Sequence, residues 1–376
     1  MTQCGRKLSL SVLFFVAAGG VGLSQPAAAQ VMVAAPAQGM MAAPDETPLL
    51  FDRLRAFSAV VVATTPAGFE KNPAPVKGTN CVYLPVKIEK VLKGDLKPGP
   101  FRLSVHEGLP PLLAERDGNG AGAARRYLLV MGVEKNAGYL GGGMLYKDLA
   151  RFCLTDPGME KLARTFLEAN DVTPAALLKV SGELLADKDV AASASAFGHV
   201  CELLARLAAQ TDAAGWKTLD KRDLQSAVNR VSTKLRTGAA VDAAAAFLIA
   251  VAARTDNPEG VKVLDGNLAE PARKWLTAQL EAPAQGWSPD YQRVAAMTPV
   301  VSLLGQLKDK DAKDLLVKQT KDERWAALRR PTLAAFKELL SPEEQKALNT
   351  PSGADFPRGI PRIKRIQGPL PPVPVE

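Results

Sequence analysis

The chain has 376 residues, 47% of them hydrophobic and 6% aromatic, with a formal net charge of +8 and four cysteines. This length accommodates two or three domains, and this apolar content excludes a chain that is disordered throughout. The positive charge is moderate and interspersed with acids, which favours anionic partners weakly and disfavours a dedicated nucleic-acid role.

The first 29 residues read as a secretory signal peptide. Arg6 and Lys7 form a positive n-region, Val12 to Ala17 an apolar core, and Ala27-Ala28-Ala29 a small-residue cleavage site, so that processing between Ala29 and Gln30 is expected. The alternative is a retained membrane anchor, against which the core is short and glycine-interrupted. Cys4 precedes the apolar core and is not placed as a lipid-bearing cysteine. Cleavage removes the charges of Arg6 and Lys7, so the mature chain carries +8 less 2, or +6. The expected location is secreted or periplasmic.

Residues 30–46, rich in Ala, Pro and Met without a sustained period, read as a flexible leader. Thr47-Pro48 then forms a helix start, with Leu49, Leu50, Leu54 and Phe57 as a short buried stripe. Residues 47–155 are expected to form a β domain. Ser58 to Thr64 is a compact apolar run of strand length. From Cys81 to Leu92 the chain alternates, with Val82, Leu84, Val86 and Ile88 on one face and Tyr83, Pro85, Lys87 and Glu89 on the other. Pro85 implies an edge or a bulge on one side of that strand. Phe101, Leu103 and Val105 continue the alternation. Arg116 to Ala123 is a glycine-rich loop, Tyr127 to Val133 another buried strand, and Gly138 to Met144 with Arg151 to Leu154 close the sheet. About five short strands in roughly 100 residues suggest a small barrel or sandwich.

The order SAVVVATTPAG, VYLPVKIEKVLKGDLKPG, FRLSV, RRYLLVMGV and GYLGGG resembles the secreted bacterial OB-fold domains related to the netrin and TIMP-like modules, over roughly residues 57–154. The resemblance implies an OB-like barrel. The inhibitor branch of that group caps a protease metal with an N-terminal cysteine, whereas the expected mature N-terminus here is Gln30, so metalloprotease inhibition by that route is not implied.

Residues 156–349 read as an α-helical domain. Met159 to Asn170 is its first helix, and Thr173-Pro174 caps a second that carries Leu177, Val180 and Leu184 on one face. Phe197, Val200, Cys201, Leu204 and Leu207 recur at helical spacing, as do Leu224, Ala227, Val228, Val231 and Leu235, then Val241, Ala244, Ala245 and Leu248. Asn257-Pro258, Glu270-Pro271 and Ser288-Pro289 mark further helix starts, and Pro299 and Pro331 are expected to kink or split their helices. The stretch Leu303 to Leu340 reads as two amphipathic helices joined by a polar turn, a pair that needs a stacked neighbour to bury its apolar face. Leu304, Leu307, Asp309, Ala312, Leu315, Leu316, Asp322, Trp325, Leu328, Arg329, Ala334 and Phe336 resemble a HEAT-type repeat. The other helices fit only by pattern, and an irregular helical bundle is the alternative. Residues 350–376, with Arg358, Arg362, Lys364, Arg365 and a polyproline-like end, are expected to be a disordered basic tail.

The residues that carry chemistry are sparse. His106 has no second histidine at zinc-motif spacing, and His199 shares no helix face with Cys201 two residues on. Asp117-Gly118-Asn119-Gly120 begins like a calcium loop, but Ala121 and Leu128 stand where oxygen ligands belong. Gly118, Gly120 and Ala123 mimic a dinucleotide fingerprint with a strand where the helix should follow, and a hairpin loop accounts for both patterns. No catalytic residue, cofactor or metal site is assigned. Of the three cysteines after the leader, Cys81 and Cys153 are candidates for a disulfide closing a loop of more than 70 residues, worth about 4 kcal/mol; three reduced thiols are the alternative. The expected function is that of a non-enzymatic interaction or scaffold protein, binding a protein or cell-envelope component through its helical array. The alternative is a hydrolytic enzyme whose acids converge only in three dimensions.

Overall fold

The structure, a computed structural model, describes residues 49–69, 74–76, 79–117, 124–134, 137–139, 152–254, 261, 263–283 and 287–349. The expected signal peptide and its Ala29–Gln30 cleavage point, the leader, the Thr47-Pro48 cap, the 118–123 loop, the Asn257-Pro258 start and the tail lie outside the described residues. A sheet comes first and helices follow. Helix α1 (Leu50–Ala56) precedes β1 (Ala59–Thr65), β2 (Ala74–Pro75), β3 (Cys81–Lys93) and β4 (Gly99–His106). Helix α2 (Leu109–Arg116) then leads to β5 (Arg125–Glu134), β6 (Ala137–Tyr139) and β7 (Phe152–Leu154).

Strand β1 pairs antiparallel with both β3 and β5, β3 with β4, and β5 with β6 and β7. Among the described residues the one parallel pairing, β4 with β6, sets Leu103 beside Gly138 and Ser104 beside Tyr139. The pairing path β1-β3-β4-β6-β5 thus returns to β1. Pro85 pairs only with Arg102 of β4, because the β1 ladder begins two residues later at Lys87. One side of β3 is therefore unpaired at Pro85, which has no N–H to donate.

The strand sequences differ because their surroundings differ. On β3 the buried residues Val82, Leu84, Val86 and Ile88 alternate with more exposed ones, since one face meets solvent. Strands β1 and β5 are buried on both faces and read as continuous apolar runs. Val61, Ala63, Leu129 and Met131 face an inner core with Leu84, Leu103, Phe152 and with Leu109 and Leu113 of α2. Val60, Val62, Leu128 and Val130 face the other way, into a core shared with α1 and the helices. Tyr127 reaches the inner core, edge-on to Phe152 with ring centroids 5.5 Å apart, and its hydroxyl donates to Asp117 Oδ2 at 2.7 Å.

Helices α3 (Pro157–Glu168), α4 (Pro174–Ala186), α5 (Lys188–Ala192), α6 (Ala194–Gln210), α7 (Ala213–Thr218), α8 (Lys221–Arg236), α9 (Val241–Ala252), α10 (Ala269–Glu281), α11 (Trp287–Gln306), α12 (Lys310–Gln319), α13 (Arg329–Phe336) and α14 (Pro342–Asn349) follow. Side chains of Asp156, Thr173, Asp187, Ser193, Asp212, Asp220 and Asp309 each accept a backbone N–H of the first turn, which sets many of these starts locally. Helices α6, α9, α11 and α13 form one row, each packed on the next, and α4, α8 and α10 form a second. Pro299 does not split α11. Pro331 lies in the first turn of α13, after a 3-10 segment over Glu323–Leu328. The stretch Leu303 to Leu340 is therefore the end of α11, then α12, the 3-10 segment and α13, rather than two helices. Lys308, at φ 54°, makes the left-handed turn that ends α11 before Asp309 caps α12.

The sheet and the helices are also joined by charge. Glu160 of α3 has a side chain only 11% exposed, and it accepts Lys90 Nζ at 2.8 Å and Arg126 Nη2 at 2.6 Å. Arg126 Nε also donates to Glu89 Oε2 at 2.6 Å. Burial opposes ionisation of Glu160, but its bonds to Lys90 and Arg126 outweigh this and hold its carboxyl below the ordinary value.

Candidate functional site

Helix α8 turns Leu224, Ala227, Val228, Val231 and Leu235 into the core. The same helical period sends Lys221, Arg222, Gln225, Ser226, Asn229 and Arg230 outward. With Val261 these six residues line a groove of about 570 Å³. Asp220 fixes the start of the groove by accepting the N–H groups of Arg222 at 2.7 Å and Asp223 at 3.3 Å. Gln225 Nε2 donates to Asn229 Oδ1 at 3.0 Å, and the shielded Gln225 Oε1 has no partner. Among the described residues lining the groove none is acidic, and Lys221, Arg222 and Arg230 form no ion pair. The arrangement offers three positive charges, an amide acceptor and one apolar contact to a ligand bearing carboxylates or phosphates.

A second cluster lies where β7 meets α6. The β5–β7 register sets Cys153 opposite Leu128, the face that packs on the helices. Nearby on α6, His199 Nδ1 lies 2.8 Å from Glu202 Oε2. Burial lowers the imidazole pKa, but the influence of Cys153 and Glu202 prevails and raises it to about 9. The His199 side chain is 18% exposed and that of Glu202 44%. Burial also raises Asp242 on α9, with a smaller contribution from Glu202.

Among the described residues Cys81, Cys153 and Cys201 form no disulfide with one another. The reason is the pairing: Cys81 opens β3 opposite His106 of β4, whereas Cys153 sits on β7, which pairs with β5. His106 is exposed at the strand end, where its Nδ1 accepts the Gly108 N–H at 3.1 Å. His199 needed a wider comparison than the one with Cys201: Glu202, at i+3, does share its helix face. Trp216 and Trp325 are buried core residues. The neighbouring acids Glu89 and Glu160 are bridged by Arg126, and both are held below the ordinary carboxyl value, Glu89 chiefly by its hydrogen bonds from Thr64 and Arg126. Among the described residues no group of three His, Cys, Asp or Glu side chains is arranged to hold a metal ion, and no helix is long and apolar enough to cross a membrane. No family model, no curated protein and no solved structure matches this chain.

Proposed function

We propose that this is an exported, non-enzymatic interaction protein in which an OB-type barrel precedes a HEAT-like helical array, and that the array binds an acidic segment of a protein or envelope partner along α8. The single observation that carries the binding role is the α8 groove, with Lys221, Arg222 and Arg230 outward and, among the described residues, in no ion pair. The pairing order β1-β3-β4-β6-β5, with its parallel β4–β6 step, supports the OB-type reading. The two helix rows support the HEAT-like one. Export rests on the n-region, apolar core and Ala29–Gln30 junction.

The test uses the whole mature chain and a fluorescent polyglutamate peptide. The peptide should bind with an affinity that falls as salt rises. Arg222→Glu with Arg230→Glu should weaken binding at least tenfold, on the order of 1.4 kcal/mol. A control with the same charge change at exposed Lys318 and Lys321 should keep most of the affinity. Equal losses in both double variants would reduce the effect to net charge and overturn the assignment.

A further inference from the structure

The cations of α8 fall into two sets. Beyond the groove they are engaged: Lys234 Nζ donates to the Ala191 carbonyl oxygen at 2.6 Å, and Arg236 Nη2 to Asp265 Oδ2 at 2.5 Å. Within the groove Lys221, Arg222 and Arg230 form no ion pair among the described residues. We propose that the acidic segment lies along α8 as an extended strand, with two acids four residues apart seated on Arg222 and Arg230. This rests on the binding role given to the groove and adds the conformation and the spacing of what fills it.

The spacing follows from the helix. Arg222, Ser226 and Arg230 recur at intervals of four and are all exposed, so they form one ridge on the outer face. At 1.5 Å per residue the two arginines are about 12 Å apart along the axis, with Ser226 about 6 Å from each. An extended chain advances about 3.4 Å per residue, so acids at i and i+4 lie about 13–14 Å apart on one face. Residue i+2 then falls opposite Ser226, while i+1 and i+3 turn away. Lys221, Gln225 and Asn229 form a parallel ridge, and Gln225 Nε2 donates to Asn229 Oδ1 at 3.0 Å within it. Each guanidinium can grip a carboxylate through two N–H groups at fixed geometry, whereas Lys221 offers a point charge. The arginines therefore set the register.

The size of the groove separates a strand from a helix. A volume of about 570 Å³ spread over about 12 Å of α8 gives a cross-section of about 50 Å². A packed strand occupies about 4.8 Å by about 10 Å, the same area. A helix with its side chains is about 10–12 Å across, or roughly 80–110 Å², and is too thick. A helical partner would also need its acids about eight residues apart to meet both arginines. Val261 in the lining supplies an apolar contact for the strand.

The test loads the full mature chain with the fluorescent polyglutamate peptide and displaces it with short unlabelled peptides. Three share one glycine- and serine-rich composition and differ only in where two glutamates stand: adjacent, at i and i+2, or at i and i+4. A fourth is an alanine-rich helical peptide with glutamates eight apart. The i, i+4 peptide should compete about fivefold better than the adjacent one, and Arg230→Gln should abolish that preference. Ser226→Arg combined with Arg230→Ser keeps the net charge and alters only exposed positions. It brings the arginines to about 6 Å, so the preference should move to the i, i+2 peptide, whose acids are about 7 Å apart. A diffuse charge effect would not give that move. Failure of polyglutamate to bind would overturn the binding role of the groove and this inference with it. Polyglutamate binding with no preference among the peptides, a preference that stays at i, i+4 in the exchanged variant, or strongest competition by the helical peptide would overturn the extended seating alone.

Discussion

Replacing Arg126 with methionine tests the charged seam between sheet and helices. The stem of the side chain remains, and the guanidinium that bridges Glu89 and Glu160 is removed. Glu89 and Arg126 are each about one-third exposed, and Glu89 keeps its bond from Thr64, so that half of the bridge is worth under about 1 kcal/mol. Glu160 is 11% exposed and keeps only Lys90, so the loss of a charge-assisted bond there costs about 1.5–3 kcal/mol. The expected destabilisation at pH 7 is about 2–3 kcal/mol, read from denaturant midpoints and slopes. The pH dependence has a definite sign. Burial opposes ionisation of Glu160, its bonds prevail, and its folded pKa lies below 4.5. The stabilisation is therefore present above about pH 4.5 and is lost as pH falls through the depressed folded value. The gap between Arg126→Met and the unaltered chain should narrow below pH 4, and pairing with Glu160→Gln should show positive coupling. A gap below about 0.5 kcal/mol at pH 7, or one unchanged at pH 3, would refute the reasoning.

Two further outcomes are expected. A Cβ on Gly305 would lie 2.4 Å from the Ala335 carbonyl oxygen and 2.7 Å from its Cβ, so Gly305→Ala should force α11 and α13 apart and cost about 1–3 kcal/mol in a denaturant titration; a neutral effect would contradict that close approach. N-terminal sequencing of protein from the producing cell should begin at Gln30, and an intact Met1 in a cytoplasmic extract would count against export.

Local signals in the chain were legible where one neighbour decides the outcome. The alternation of β3 and the i, i+3, i+4 stripes of α6, α8 and α9 each report a single buried face. The cap at Thr173 is equally local. Helix α2 was missed because it is a single short element with Pro110 and Pro111 in its first turn, a position where proline is tolerated but gives no apolar period to read. Lys308 was missed because a left-handed helix end commonly carries glycine. The α8 groove was half legible: the polar face follows by subtraction from the apolar stripe, but its closure by Val261 is a tertiary fact. That Cys153 lies on the face of the sheet packed against the helices depends on the β5–β7 register and leaves no local trace.

Strands β1 and β5 are a party wall. One side of each belongs to the inner core of the sheet, the other to the core of the helices. The chain changes character between Leu154 and Pro157, yet the oil runs through that point without a break. A recombination event that moved the strands alone would carry Val60, Val62, Leu128 and Val130 into water with nothing to lie against them. The two halves of this chain are therefore obliged to be inherited together.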